Sequence, residues 1–507
     1  MSSSCSVENQ NPNSSSPLNW SNLWLKKKKK ALDHVVFSTI RRRSLYKKPP
    51  PTPKSPQRQP DNVTEQIHNN EEALVSHSPQ SVDDDFISLL SDETLLQILS
   101  RLPEEYQRKS TSLVSKSWLN LQGRLIRSVK VFDWSFLASG RMFLRFPNLI
   151  DVDLLHASVV SSTKSLGLSF GHEFGPFCVD SDVFLSEKNH TLLPVHEVDF
   201  GLKALASVYP NLQRLVVVNC SEIGLLNVAE GCQTMQELVL HGCHDQVLRG
   251  IAAFRNLQIL KLIGSVDGLY CSLVSDIGLT ILAQGCKRLV KLELRGCEGS
   301  YDGIRAIGQC CHMLEELTFC DHRMDDGWLS ALSYCENLKI LRLVSCKRID
   351  QSPGLDEHLG HCRMLERLHL ERCQLKEKQS LRALFLVCQT VRELVIKNCW
   401  GLKDGMFLNA NLCRRLKLVS LEGCLRLTTQ GLESVLVSLK ELESLRVISC
   451  NNIKEDEVSP VLSALFTSLK NLKWTPNNTS LLSTSLSGSG MRKRGGKFFK
   501  KLQILNT

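Results

Sequence analysis

The sequence predicts an α/β solenoid, a stack of short strand-and-helix units that follows a small helical module. Two observations predict this fold class. An L-x-x-L-x-L pattern recurs over most of the chain at nearly constant intervals, and apolar residues at helical spacing precede it between residues 89 and 121. A third observation sets the boundary, because the first 82 residues are rich in Ser, Asn, Gln, Lys and Pro and contain too little apolar surface to fold.

The basic residues are concentrated at the two ends of the chain. Residues 1–60 carry a net charge of +10 and residues 484–507 carry +6, so the remainder of a chain with net charge +10 carries −6. We therefore predict a disordered basic and Pro-rich tail over 1–82 and a basic tail over 476–507, either of which could serve as a nuclear import signal or simply be solvated. The acidic body argues against nucleic-acid binding by the folded core. We also expect no membrane association, because the chain has no run of about 18 apolar residues.

The helical module is predicted over 83–130. Apolar residues from Leu95 to Leu102 fall on one face of a helix, Ser91 is placed to cap its N-terminus, and Pro103 is placed to end it. A second helical stretch is predicted to contain Leu113, Val114, Trp118 and Leu121. A module of this size needs support from the repeats or from a partner.

The repeats are predicted over 147–475, about 11 to 13 in number. All but one of the intervals fall within 20–29 residues, the period of leucine-rich repeats, and the longer interval marks an insertion around 266–275. In each repeat the alternating run predicts a strand and the G-L-x-x-[LI] run predicts a helix, so the stack forms a curved arc with strands inside and helices outside. The middle pattern positions are Leu215, Leu238, Leu260, Leu292, Leu317, Leu341, Leu368, Leu394, Val419, Leu445 and Leu472.

Two weaker copies of the pattern precede these repeats. One is Leu149–Val152–Leu154 and the other is Val195–Val198–Phe200, and each is interpreted as a strand. The stretch 160–192 between them follows no pattern, so its structure is left open. At the other end, the strand 469–474 is expected to cap the arc.

Most of the twenty cysteines occupy two fixed positions of the repeat. Eight lie five residues after the middle Leu or Val, and seven more lie six residues before it. Such positions favour small buried thiols, and free thiols at regular spacing fit the reducing nucleus or cytoplasm. The nucleus, the cytoplasm or both is therefore the expected location.

Two clusters, His241-Gly-Cys243-His244 and Cys310-Cys311-His312, raise the question of zinc. One Cys of each is already explained by its repeat position, and zinc needs four converging ligands. We therefore predict no metal, no cofactor and no catalytic residue.

The segment Leu90-Ser-Asp-Glu-Thr-Leu-Leu-Gln-Ile-Leu-Ser-Arg-Leu-Pro103, followed by Leu113-Val-Ser-Lys-Ser-Trp118, resembles an F-box. The family pattern runs L-P-x-E-x-L-x-x-I-L-x-x-L and closes with V-C-[KR]-x-W. Ser91 stands where Pro is usual and Ser115 where Cys is usual. An F-box joined to cysteine-containing leucine-rich repeats resembles the plant F-box/leucine-rich-repeat proteins, substrate receptors of SCF-type ubiquitin ligases.

This resemblance implies a non-catalytic receptor. The F-box would bind a Skp-type adaptor and, through it, a cullin scaffold, while the repeats would hold an unknown substrate protein for ubiquitination. Core packing is the alternative role for each adaptor-contact residue, and about half are expected to face the adaptor, with Leu90, Leu95, Ile98 and Pro103 foremost. The full set of adaptor contacts that the resemblance implies is Leu90, Leu95, Leu96, Ile98, Leu99, Leu102, Pro103, Leu113, Val114 and Trp118.

Substrate binding is predicted on the concave strand face. The residues between the second and third pattern positions point there, and their mixed charges do not indicate a phosphopeptide: Lys261, Glu293, Thr318, Arg342, His369, Val395, Ser420 and Arg446. The competing interpretation is a repeat scaffold that binds a partner without a link to ubiquitination, with the helical module as a simple cap.

Overall fold

The structure, a computed structural model, describes residues 86–102, 110–160, 168–171, 191–266, 270–271 and 274–476. The chain divides into two units, Met1–Asp83 and Asp84–Thr507, and every described residue belongs to the second. Nearly all of both predicted tails, Pro103 and most of 160–192 lie outside the described residues.

The described α-helices are short, and most of them follow a strand of the repeat. They are α1 Asp92–Ser100, α2 Lys116–Leu125, α3 Trp134–Ala138, α4 Arg141–Arg145, α5 Val195–Val208, α6 Glu222–Gly231, α7 Asp245–Ile251, α8 Asp276–Gly285, α9 Tyr301–Cys310, α10 Trp328–Ala331, α11 Lys378–Val387, α12 Asp404–Phe407, α13 Thr429–Leu436 and α14 Pro460–Ser468. The described residues also form four 3-10 helices: Phe86–Leu89, Leu332–Tyr334, Asp356–His358 and Leu408–Leu412.

The strands of the repeats form one sheet, as expected of a curved solenoid. In the part of the chain that the structure describes, this sheet has thirteen parallel strands, plus one antiparallel strand at its N-terminal edge. In spatial order the strands are β4 Leu168–Gly171, β1 Ser128–Val131, β2 Asp151–Asp153, β6 Arg214–Val218, β7 Glu237–His241, β8 Ile259–Ile263, β11 Lys291–Arg295, β13 Glu316–Cys320, β15 Ile340–Val344, β16 Arg367–Glu371, β17 Glu393–Lys397, β18 Leu418–Glu422, β19 Ser444–Ile448 and β20 Asn471–Thr475. Short pairs lie outside the sheet: β3 Val159–Val160 with β5 Thr191–Leu192, β9 Ser265–Val266 with β10 Tyr270–Cys271, and β12 Glu298–Gly299 with β14 Arg323–Met324.

The predicted repeat register is confirmed. Each middle Leu or Val lies in a strand opposite its equivalents, so that Leu292, for example, pairs with Leu260 on one side and Leu317 on the other. These residues are buried in one continuous core between the sheet and the helices, except Leu472 of the last strand, which is half-buried and packs against that core. The weak copy at Leu149–Val152–Leu154 is also confirmed as a strand, and the sheet itself begins earlier than residue 147, at Ser128.

The other weak copy was predicted wrongly as a strand. Residues 195, 198 and 200 lie in α5, whose buried positions include Val198, Leu202 and Leu205, at i, i+4 and i+7, whereas Phe200 is exposed. The helical period over the longer window therefore overrides the short apparent match. The prediction of a helix in every repeat is only partly confirmed, because the repeat of β15 has only the 3-10 helix Asp356–His358 before the next strand.

The cysteines of both repeat positions are buried and free wherever the structure describes them. Several of their thiols lie against backbone carbonyls of the preceding repeat: Cys232 Sγ is 3.2 Å from the carbonyl oxygen of Tyr209, and Cys373 Sγ is 3.2 Å from that of Leu343. Burial raises the pKa of Cys286 and of Cys413 to about 12, so these thiols are protonated at neutral pH. They are structural hydrogen-bond donors that link one repeat to the next.

Candidate binding surfaces

The N-terminal helical module has a small core of its own. Leu95 and Leu99, one helical turn apart on α1, pack against Leu121 of α2, with Leu96, Leu102, Trp118 and Leu125 at the margin. Ser91 caps α1 as predicted, since its Oγ accepts a hydrogen bond from the Thr94 N–H, and Ser115 caps α2 in the same way through the Trp118 N–H. The internal packing of α1 against α2 therefore uses one face of each helix.

A second set of apolar residues remains exposed on the same module. Leu89 is 76% exposed and Val114 63%, and the whole set comprises Ile87, Leu89, Leu90, Ile98, Leu113 and Val114. These residues lie on α1 and on the turns that precede α1 and α2. Exposed apolar residues grouped on one small module indicate a protein-binding surface.

Nine of the ten predicted adaptor contacts are described, all but Pro103, and they differ in burial. Leu95 and Leu99 are buried within the chain and Leu96, Leu102 and Trp118 are half-buried, whereas Leu90, Ile98, Leu113 and Val114 are exposed. Leu95 therefore does not belong among the foremost surface residues, where the sequence placed it. The second helix also begins later than predicted, at Lys116, which leaves Leu113 and Val114 in the exposed turn before it.

Sequence reasoning missed Ile87 and Leu89. They lie in the 3-10 helix Phe86–Leu89 ahead of the helical pattern, so a search for helical periodicity did not reach them.

The module is held directly against the first solenoid elements. The Arg145 guanidinium donates to the Leu119 carbonyl at 2.6 Å, and Asn148 Nδ2 donates to the Arg124 carbonyl at 2.8 Å. Gly123 allows this approach, because a Cβ at that position would collide with the Arg145 carbonyl oxygen. The orientation of α2 on the solenoid is thus fixed by close packing.

The strand face carries the predicted substrate-contact residues in one row. Backbone register places them opposite one another on successive strands: Lys261, Glu293, Thr318, Arg342, His369, Val395, Ser420 and Arg446, with Lys473 next. Arg342 and Arg446 are four strands apart, about 19 Å at the usual strand spacing. They cannot together hold one phosphate group.

Several charges on this face are paired with each other. Lys261 Nζ lies 3.7 Å from Glu293, and Arg342 Nε lies 3.0 Å from Glu316. His369 Nε2 lies 3.2 Å from Glu371, and burial lowers the pKa of His369. Arg446, by contrast, is exposed and forms no ion pair with a described residue. Free positive charge is therefore found toward the C-terminal end of the row.

The N-terminal end of the strand face is covered by the chain itself. Val216, Val218, Val239 and Ile263 of the sheet are buried together with Leu155, and Leu192 packs against this cluster. Sequence reasoning left this region open, because no repeat pattern marks the segment that follows β2. The accessible strand face therefore begins near β8.

A buried charged group lies beneath this covered end. Arg214 contacts Asp151 at 3.2 Å and Glu237 at 3.1 Å, and Ser128 Oγ donates to Asp151 at 2.8 Å. Burial outweighs these partners and raises the pKa of Asp151 to about 6. This arrangement is structural, since all four residues lie on neighbouring strands of the sheet.

Neither of the two clusters considered for zinc brings three possible ligands together in the described residues. No three His, Cys, Asp or Glu side chains converge on a possible metal position among the residues that the structure describes. Burial and the nearby Arg295 lower the pKa of His241 to about 3, so this imidazole is neutral. None of the described helices has the length and apolarity needed to cross a bilayer.

Comparison with known proteins identifies the helical module. A family model for the F-box domain matches residues 87–127, the segment that carries both the small core and the exposed apolar set. The chain contains an F-box domain. This F-box precedes a repeat solenoid, as the sequence predicts for a plant F-box protein with repeats.

Two curated plant proteins are similar in sequence to this chain. A Transport inhibitor response 1-like protein of Oryza sativa subsp. japonica is 25% identical over 398 residues, which cover 71% of this chain and 66% of the relative. The F-box protein SKIP19 of Arabidopsis thaliana is 34% identical over 197 residues, 39% of this chain and 58% of the relative. The chain thus spans less than two thirds of the length of either relative.

Proposed function

We propose that this F-box protein is the substrate-recognition subunit of an SCF-type ubiquitin ligase. The F-box would bind a Skp-type adaptor, which connects to a cullin scaffold, and the repeats would bind the protein to be ubiquitinated. The chain itself would supply no reacting group and would act by holding the substrate near the ubiquitin-charged enzyme. We place this role in the nucleus, the cytoplasm or both, because the free thiols of the repeats suit reducing compartments.

One observation supports the adaptor-binding part above all others. The F-box module completes its own core with Leu95, Leu99 and Leu121 and still exposes six large apolar residues. A module that only capped the solenoid would need one apolar face, the one against the solenoid. The additional exposed set matches what an interface core requires.

The test is co-purification of the full chain with a plant Skp-type adaptor. The double variant Leu113→Asp/Val114→Asp places two charges in the exposed turn, where the side chains are 61% and 63% exposed, so we expect folding to be unaffected. We expect the affinity of this variant for the adaptor to fall by about 100-fold or more, since two charges would be buried at the interface. The matched control is Ile277→Asp, a comparably exposed apolar residue on the solenoid helix α8, which should retain the adaptor.

Folding is measured separately from binding. All three proteins should have the same circular dichroism spectrum and the same unfolding midpoint. Leu95→Ala is the contrasting case, because truncation of a buried Leu costs about 2–5 kcal/mol and removes binding through unfolding. If folded wild-type protein forms no adaptor complex, the module is a cap and the repeat scaffold becomes the better interpretation.

A further inference from the structure

The turns that follow five consecutive strands, β15 to β19, form a surface that the proposed function does not yet use. We call residues 345–349, 372–376, 398–402, 423–427 and 449–453 the C-terminal rim. These turns contain five basic residues and no acidic residue: Lys347, Arg348, Arg372, Lys376 and Arg426. Such a concentration of one sign is notable in a body whose net charge is negative.

Two large apolar side chains stand among these cations. Trp400 is 58% exposed and Leu425 is 52% exposed, and each lies three residues beyond the end of its strand. Because the ends of those strands, Lys397 and Glu422, are paired in register, the two side chains occupy neighbouring turns about 5 Å apart in the sheet direction. They form a small apolar patch.

The backbone under Trp400 is fixed. Its N–H donates to the Cys373 carbonyl at 2.9 Å, and its carbonyl accepts from the Leu375 N–H at 2.7 Å. The indole is therefore displayed from a rigid turn, which lowers the entropy lost when a partner binds. Exposed Trp in such settings is typical of residues that dominate binding energy.

The cations beside the patch are available for a ligand. Lys347, Lys376 and Arg426 form no ion pair with any residue that the structure describes. Lys376 runs alongside the Trp400 turn, since a Cβ on Gly401 would lie 3.2 Å from Lys376 Cγ. Arg372 is paired with Glu371, but at 3.8 Å and with both side chains partly exposed, which makes the pair weak.

The equivalent turns of the earlier repeats are mainly acidic. The turns at 219–223, 242–246, 296–300 and 321–325 contain Glu222, Asp245, Glu298, Asp321 and Asp325. Their one basic residue, Arg323, lies 3.6 Å from Glu298. The positive, aromatic rim is therefore a local feature of the last repeats and not a property of the repeat as such.

We infer that the C-terminal rim binds an acidic peptide segment of a protein partner, with an apolar side chain against Trp400 and Leu425 and carboxylates on Lys376 and Arg426. That this partner is the ubiquitination substrate rests on the proposed function. A protein segment fits better than nucleic acid, because a peptide can place its carboxylates away from Glu371 and Glu422 on the adjoining strand face, whereas a nucleic acid carries a negative charge on every nucleotide.

The probe is a fluorescein-labelled twelve-residue peptide with a central Phe-Leu pair flanked by Glu and Asp. Fluorescence anisotropy with the full chain should show binding of this peptide. The affinity should be at least about tenfold lower for a peptide in which Gln replaces the acidic residues, and for one in which Ser replaces the Phe-Leu pair. Trp400→Ala and the double variant Lys376→Glu/Arg426→Glu should each weaken binding by about tenfold or more. The matched controls Arg323→Glu, on the earlier rim, and Ile277→Ala should stay within twofold of wild type.

Three results would overturn the inference: no binding by the wild-type chain, equal binding of the Gln peptide, or rim variants that bind as wild type does. A duplex or single-stranded oligonucleotide that displaces the peptide at equal concentration would assign the rim to nucleic acid instead. Adaptor co-purification is measured on the same variants. The rim variants should lose the peptide and retain the adaptor. If the wild-type chain binds the adaptor but not the peptide, the rim alone is refuted. If the wild-type chain binds the peptide but not the adaptor, the proposed ligase role is refuted and the rim remains a peptide site.

Discussion

Gly303 lies where one repeat caps the next, and its replacement by alanine tests that contact. Asp276, the first residue of α8, accepts hydrogen bonds from the N–H groups of Ser300 at 2.8 Å and Gly303 at 3.0 Å, and from Ser300 Oγ at 2.6 Å. A Cβ on Gly303 would collide with Asp276 Oδ1 and lie 2.8 Å from Leu279 Cδ1. The glycine is therefore required by the approach of the neighbouring carboxylate and not by its own backbone conformation.

The magnitude follows from three competing contributions. Overpacking in a fixed site costs about 1–3 kcal/mol. Displacing the carboxylate weakens at least one charge-assisted hydrogen bond, at about 1.5–3 kcal/mol. In the opposite direction, the higher helix propensity of alanine raises the free energy of unfolding by about 1 kcal/mol relative to glycine. Gly303→Ala should thus lower the free energy of unfolding by about 1.5–5 kcal/mol.

Gly405→Ala is the matched control, because it makes the same substitution in the first turn of α12, where nothing lies within 4 Å of the added Cβ. Helix propensity alone acts there, so this variant should be as stable as wild type or more stable by up to about 1 kcal/mol. Urea denaturation of the full chain, followed by circular dichroism, compares the two midpoints. If Gly303→Ala unfolds at the same urea concentration as Gly405→Ala, the carboxylate contact does not couple the repeats.

Three further predictions concern burial. Because the pKa of Asp151 is raised to about 6, the folded protein binds a proton at this residue more tightly than the unfolded protein does, and the resulting stabilisation is complete below pH 4 and lost as pH rises through 6. Urea midpoints should therefore show that wild type becomes more stable relative to Asp151→Asn as pH falls from 6 to 4. A difference that does not change with pH would contradict this prediction. In iodoacetamide labelling at pH 8, read by mass spectrometry, Cys310 should react in the native protein and the buried Cys286 after unfolding. Trp474→Ala should cost about 3–5 kcal/mol in urea denaturation, because the ring is buried against Phe466 at the last strand, and a change below 1 kcal/mol would show that this end is not packed.

The strands and their register were predictable because burial repeats with a fixed period. Leu292, for example, is flanked in the sheet by Leu260 and Leu317, and a shift of the strand register by one residue would turn these buried side chains toward solvent. The cysteine positions were predictable for the same reason. The repeating glycines carried a further signal, since a Ser/Thr-x-x-Gly pattern with an Asp in the preceding repeat marks the capping contact at Gly224, Gly278, Gly303 and Gly431.

The binding surfaces were less predictable because they are formed by residues that lie outside the periodic pattern. The sequence pattern does not show which apolar residues of the F-box helices are buried. Only the fold distinguishes the buried Leu95 from Ile98, which lies three residues later and is exposed. The cover over the first strands depends on Leu155 and Leu192, which are far apart in sequence and follow no repeat. Trp400 was missed because it lies just beyond a strand, outside the row of residues that the pattern directs to the strand face.

The junction between the F-box and the solenoid decides how these surfaces could work together. Helix α2 ends at Leu125 and β1 begins at Ser128, with Ile126 between them fully buried in the solenoid core. Nine strand steps, roughly 43 Å along the sheet at the usual spacing, separate β1 from the strand that precedes Trp400. A receptor that acts by proximity gains rate only if that separation is fixed, because a loose joint would dilute the substrate over many positions. The close contact at Gly123 and the short junction therefore make packing, rather than any reacting side chain, the means by which this chain would position a substrate.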